Sequence, residues 1–95
     1  MNKVIFSKTA TNNLISYALY IFEQTQSADL SDTYLDEMKD YIVTMLSTFP
    51  KAGRPSEEIL AGSRKLVYQG YSILYRIEYE QIEILTIFRE NLPKI

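Results

Sequence analysis

The 95-residue chain contains neither cysteine nor histidine. With no cysteine there is no disulfide framework and no thiolate to serve as nucleophile or metal ligand. With no histidine as well, the common zinc and non-haem iron sites lose their usual donors. Histidine-based acid–base catalysis is excluded. Any proton transfer would fall to Lys, Arg, Tyr, Asp or Glu, and no cofactor is expected. No apolar run approaches the ~18–20 residues that span a bilayer. Met1 to Ala10 shows no apolar core of the kind that follows the basic start of a signal peptide. A soluble, cytoplasmic protein without membrane contact is expected.

What remains suits one small domain over residues 1–95. Apolar residues make up 46% of the chain, enough for a core. A domain of this size buries a modest share of its surface and sits near the stability margin. A tight partner would therefore add noticeably to its folded stability.

Ten basic and twelve acidic residues give a net charge of −2, which does not advertise nucleic-acid binding. The charge is unevenly spread. Residues 1–50 carry three basic and six acidic side chains, whereas residues 51–95 carry seven and six. Lys51, Arg54, Arg64, Lys65 and Arg76 share their stretch with only Glu57 and Glu58, a concentration that can form a local patch.

Lys3-Val4-Ile5-Phe6 suits a short strand, and Ser7 or Thr9 can cap the helix after it. From Ala10 to about Ser27, Leu14, Ala18, Ile21 and Phe22 recur at helical spacing with Tyr17 beside them. Asp29 to Ser31 can cap a second helix over about Ser31–Thr48, with Leu35, Met38, Ile42, Met45, Leu46 and Phe49 as its stripe. The short link predicts an antiparallel hairpin. Pro50 and Pro55 bound a loop that continues to about Gly62, with one turn at Ser56–Leu60.

The apolar period then changes to two. Strands are expected at Arg64–Gln69, Tyr71–Tyr79 and Gln81–Phe88, paired consecutively and antiparallel around Gly70 and Glu80-Gln81. Tyr71, Ile73, Tyr75, Ile77 and Tyr79 fall on one face of the middle strand. Ile82, Ile84, Thr86 and Phe88 share a face of the last, opposite Glu83, Leu85 and Ile87. The expected class is α+β, ordered β-α-α-β-β-β, with a two-helix hairpin on one face of a small, mainly antiparallel sheet. The first strand joins as an edge, and Pro93 keeps Asn91–Ile95 out of regular structure.

In this order the pieces resemble the ParE branch of the RelE/ParE toxin superfamily. Val4-Ile5-Phe6-Ser7-Lys8-Thr9-Ala10 is similar to its opening strand and helix start. Phe49-Pro50-Lys51-Ala52-Gly53-Arg54 is similar to its Pro-x-x-Gly-Arg segment. Gly62-Ser63-Arg64-Lys65-Leu66, Tyr71-Ser72-Ile73-Leu74-Tyr75-Arg76-Ile77 and Ile82-Glu83-Ile84-Leu85-Thr86-Ile87 resemble its later strands. The resemblance implies the toxin of a type II toxin–antitoxin pair, held inactive in a hetero-oligomer with a cognate antitoxin. ParE-like members inhibit DNA gyrase, and RelE-like members cleave mRNA on the ribosome. The long, equal helices favour the ParE side. So does an incomplete nuclease set: Ser72 stands where RelE has a catalytic arginine, and Phe88 where many relatives have histidine.

The basic group admits three readings. As a metal-independent nuclease site it would use Arg64, Lys65, Arg76 and Arg89, with Lys94 as a further basic group near the end. As a target-binding surface it would use Lys51, Arg54, Arg64, Arg76 and Arg89. It can also be a solvated face with weak pairs to Glu57, Glu58, Glu78 or Glu83. Arg64 and Arg76 are expected on one sheet face. The strand tyrosines can stack bases or line the core. The core reading is favoured because Ile73 and Ile77 interleave with them. Tyr17, Tyr20, Tyr34 and Tyr41, with Arg64 and Arg76, are candidates for an antitoxin-binding groove or ordinary amphipathic surface. The acidic residues Asp29, Asp32, Asp36, Glu37 and Asp40 suit helix-dipole and solubility roles better than a cation site. A toxin-fold module without toxicity is the third functional class.

Overall fold

The computed structural model describes residues 2–89. The readings made for Asn91–Ile95 and Lys94 lie outside these. Strand β1 (Lys3–Phe6) leads into helix α1 (Lys8–Thr25) through Ser7. The Ser7 hydroxyl accepts the Ala10 amide at 3.0 Å and donates to the Leu85 carbonyl at 2.9 Å. One side chain thus starts the helix and ties it to the last strand.

Helix α1 ends at Gln26, whose backbone is left-handed (φ 57°) and returns its N–H to Phe22 O. This is the αL stop usually filled by glycine or asparagine. Ser27 then caps helix α2 (Ala28–Thr48) by accepting the Leu30 amide at 3.1 Å. The second helix therefore begins three residues earlier than the expected Ser31. Ser31 is buried inside it, and its hydroxyl donates to the Ala18 carbonyl of α1 at 2.7 Å. The expected cap is a bond between the two helices.

The sheet has five strands in the order β1-β5-β4-β3-β2. Strand β3 spans Ser63–Tyr68, β4 Tyr71–Glu78 and β5 Gln81–Arg89. These three are consecutive antiparallel neighbours, and β1 lies parallel to β5 at the edge. The stretch read as loop contains one addition, β2 (Arg54–Pro55), which pairs with Lys65 and Arg64. Proline is tolerated there because the strand is an edge. Gln69 and Gly70 both have positive φ, 46° and 85°, as a type I′ hairpin turn requires.

The core lies between the helices and one sheet face. Leu14, Tyr17, Met38, Ile42 and Leu46 meet Leu66, Ile73, Tyr75, Ile82, Ile84 and Ile87. Each large side chain buried this way contributes about 1.5–3 kcal/mol.

Three expectations fail here for identifiable reasons. Leu74 faces Thr86 while Tyr75 faces Ile84, so Leu85 is an extra residue in β5. This bulge resets the alternation: Ile87, not Thr86 or Phe88, joins Ile82 and Ile84 in the core. Phe49 is the C-cap of α2 rather than the end of its buried stripe, and is 59% exposed. Tyr79 belongs to the two-residue turn after β4 and is 91% exposed, so it lines no core.

Candidate functional site

Four tyrosines form a continuous seam where the β3–β4 turn meets the helices. Tyr41 of α2 stacks on Tyr68 of β3 at 4.8 Å between ring centroids. Tyr68 faces Tyr71 across the hairpin. Tyr71 meets Tyr17 of α1 edge to face at 4.9 Å. Such pairs are worth about 0.5–1.5 kcal/mol beyond the area they bury. Burial pushes the phenols of Tyr17, Tyr68 and Tyr71 above their ordinary pKa, with Tyr71 pulled back by Arg89.

A hollow opens on each side of the seam. One, of about 270 Å³, is lined by Asn13, Ser16, Tyr17, Tyr20, Tyr71, Ile87 and Arg89. Its charged wall is the Arg89 guanidinium, 5.4 Å above the Tyr20 ring. The Tyr20 hydroxyl raises the pKa of that guanidinium. Asn13 forms part of the floor, its Oδ1 accepting from Thr86 Oγ1 and the Ile87 amide at 3.0 Å each. The other hollow, of about 480 Å³, is lined by Tyr41, Thr44, Met45 and Tyr68 beside the acids Glu37 and Asp40. The seam therefore runs from a basic end to an acidic end. Tyr17 is its buried floor rather than its rim, and Tyr20 and Tyr34 stand exposed.

The four residues of the nuclease reading do not share one face, although Arg54 faces Lys65 across the β2–β3 pair. Arg64 pairs with Tyr75 and Arg76 with Ser63. Directly opposed residues share a face and neighbours alternate. Arg64 and Arg76 therefore point to opposite faces, contrary to the expectation that they share one. Arg64 lies on the helix side. Its Nε donates to the Gly53 carbonyl at 2.7 Å and an Nη to the Lys51 carbonyl at 3.3 Å. Arg76 lies on the other face between two carboxylates, Glu78 at 3.1 Å and Glu83 at 3.2 Å. Lys65 shares the Arg76 face, and Arg89 closes the aromatic hollow on the helix side.

Lys51 and Arg54 stand exposed in a loop that is pinned from beneath. The buried Tyr75 hydroxyl accepts the Gly53 amide at 2.8 Å and donates to the Pro50 carbonyl at 2.7 Å. Burial raises the Tyr75 pKa, and the Gly53 amide and Arg64 oppose that rise. A Cβ on Gly53 would lie 2.7 Å from both Lys65 O and Tyr75 Cε1. Only glycine permits this approach. Sequence reasoning took Tyr75 as core filling and missed its hydroxyl as the pin. It also left out Tyr68 and Asn13. Tyr68 was legible as the residue facing Tyr71 across Gln69-Gly70. Asn13 carried no signal, because its role depends on the bulge.

A two-helix layer on a mixed five-stranded sheet in this order is the fold of the ParE and RelE toxins. The family model described as "ParE toxin of type II toxin-antitoxin system, parDE" matches residues 4–91, and the chain belongs to that family. No curated protein matches. Among solved structures, the chromosomal ParDE toxin–antitoxin system of P. aeruginosa is similar over 96% of this chain and 98% of that one, at 21% identity and TM-score 0.80. The RelBE2 toxin–antitoxin complex of Mycobacterium tuberculosis is similar over 94% and 91%, at 24% identity and TM-score 0.70. Among the described residues, no helix is long and apolar enough to cross a membrane.

Proposed function

We propose that this chain is a cytoplasmic, single-domain toxin that inhibits DNA gyrase by binding it, and that a cognate antitoxin neutralises it. One observation carries the choice of target. The four side chains of the nuclease reading are divided between two sheet faces, Arg64 and Arg89 on one and Lys65 and Arg76 on the other, and Arg64 is held by two carbonyls, Arg76 by two carboxylates and Arg89 by a tyrosine. Cleaving RNA without histidine needs cations gathered around one phosphate. The two carboxylates that hold Arg76 outweigh its charge and repel a phosphate from it. Binding a protein needs no such convergence.

The tyrosine seam supports the antitoxin half of the reading. It offers aromatic floor, two hollows and a charge at each end, which suits an amphipathic segment laid along it. Titrating the purified chain into a gyrase supercoiling reaction tests the target. Primer extension on translated mRNA tests the ribosomal alternative, for which cuts in the A site are required.

A further inference from the structure

We infer that the Phe49–Arg54 loop is the surface that engages the target, and that it fits a carboxylate-rich patch on a protein. The inference rests on the reading of this chain as a toxin acting by protein binding, and it narrows five candidate cations to two.

The loop's polar backbone is turned inward. Tyr75 holds the Gly53 amide and the Pro50 carbonyl, and Arg64 holds the Gly53 and Lys51 carbonyls. The Ala52 amide closes on the Phe49 carbonyl at 2.9 Å. The side chains point outward: Phe49, Lys51 and Arg54 are exposed. Most exposed loops lose backbone freedom when a partner orders them. This one is already ordered by bonds that reach β3 and β4, so less entropy is lost on association. An aromatic ring beside cations on a rigid support is the composition of an interface hot spot.

The charge balance selects the partner. The loop has no acidic residue of its own, while the chain as a whole carries −2. Even with Lys65, which faces Arg54 across the β2–β3 pair, three cations neutralise too few phosphates to hold a nucleic acid against that background. They suffice for carboxylates around a pocket that takes Phe49. Tyr75, Arg64 and Gly53 are then positioning residues: they touch no target atom and fix the loop that does.

The test uses the full chain with Lys51→Glu/Arg54→Glu, exposed changes that leave the core alone, and with Lys51→Arg/Arg54→Lys. Growth arrest on induction, gyrase supercoiling and antitoxin affinity are measured for each. The inference expects the charge reversal to weaken growth arrest and gyrase inhibition by at least about tenfold. Antitoxin affinity should hold, and the charge-conserving pair should retain more potency than the reversal. Tyr75→Phe should lower potency while antitoxin affinity is kept, with faster hydrogen exchange at the Gly53 amide. Unchanged potency of the reversal would overturn the inference, as would equal loss of potency and antitoxin affinity. Loss of A-site mRNA cleavage in the reversal would reassign the loop to nucleic acid and overturn it too. If the wild type arrests growth without touching gyrase, the gyrase reading fails alone, and the growth-arrest comparison still decides the loop.

Discussion

The Tyr75 hydroxyl accepts the Gly53 amide hydrogen at 2.8 Å across 22 residues of sequence. The same oxygen donates to the Pro50 carbonyl. Strand β4 thereby fixes the loop that leads into β2, a strand it does not itself pair with. The structural consequence can be measured apart from any target. Tyr75→Phe leaves the ring in the core and strips two loop groups of their partner. A destabilisation of about 1–3 kcal/mol is expected in urea unfolding, with native secondary structure kept. Gly53→Ala should cost at least as much, because the new methyl meets the Lys65 carbonyl and the Tyr75 ring at 2.7 Å.

Asn13 accepts the Ile87 amide two residues beyond the extra residue of β5. Asn13→Ala removes that acceptor next to a buried core position. A loss of about 1–2 kcal/mol is expected, together with faster hydrogen exchange at the Ile87 amide. Exchange unchanged at Ile87 would show that the bulge holds without the helix.

Two turns carry residues ill suited to their backbone. Gln69 and Glu80 have φ of 46° and 57°, and both are exposed. Gln69→Asn gives the Asn-Gly pair that a type I′ turn favours. Glu80→Gly relieves a left-handed non-glycine residue. Each should raise the urea midpoint, by roughly 0.3–1 kcal/mol in stability.

The phenols of Tyr17, Tyr68, Tyr71 and Tyr75 all have pKa values raised above 10.0 by burial. In the unfolded chain they lose protons first, so the folded state binds more protons above pH 10. Stability from this source is complete below pH 10 and falls as pH rises through the folded values. Alkaline unfolding followed by tyrosinate absorbance should begin above pH 10. Tyr75→Phe should make that onset shallower relative to its own stability at neutral pH.

Much of this architecture was legible from local rules. Ser7 followed by an amphipathic run marked α1, and the period-two stretch after Gly62 marked three strands around Gly70. Such signals depend on neighbours in sequence. What was hidden depends on neighbours in space. The extra residue Leu85 exchanges which side chains of β5 face the helices, and an alternating pattern cannot announce where it slips. The split of Arg64 from Arg76 follows from hairpin register. That register pairs Tyr68 with Tyr71 around a two-residue turn, and a shift of one residue would have put the two arginines together. The candidate tyrosines on the helices were legible by type and spacing. Only Tyr17 and Tyr41 among them join Tyr68 and Tyr71 in the seam, while Tyr20 and Tyr34 stand outside it, and that division required the fold.

Gyrase inhibition is read most directly from supercoiling of relaxed plasmid with rising amounts of the purified chain, with and without its antitoxin. If the chain blocks gyrase, supercoiling falls to nothing as the chain saturates the enzyme and returns when the antitoxin is added. Supercoiling untouched at saturation, with translated mRNA cut in the ribosomal A site by the same preparation, would contradict inhibition of gyrase.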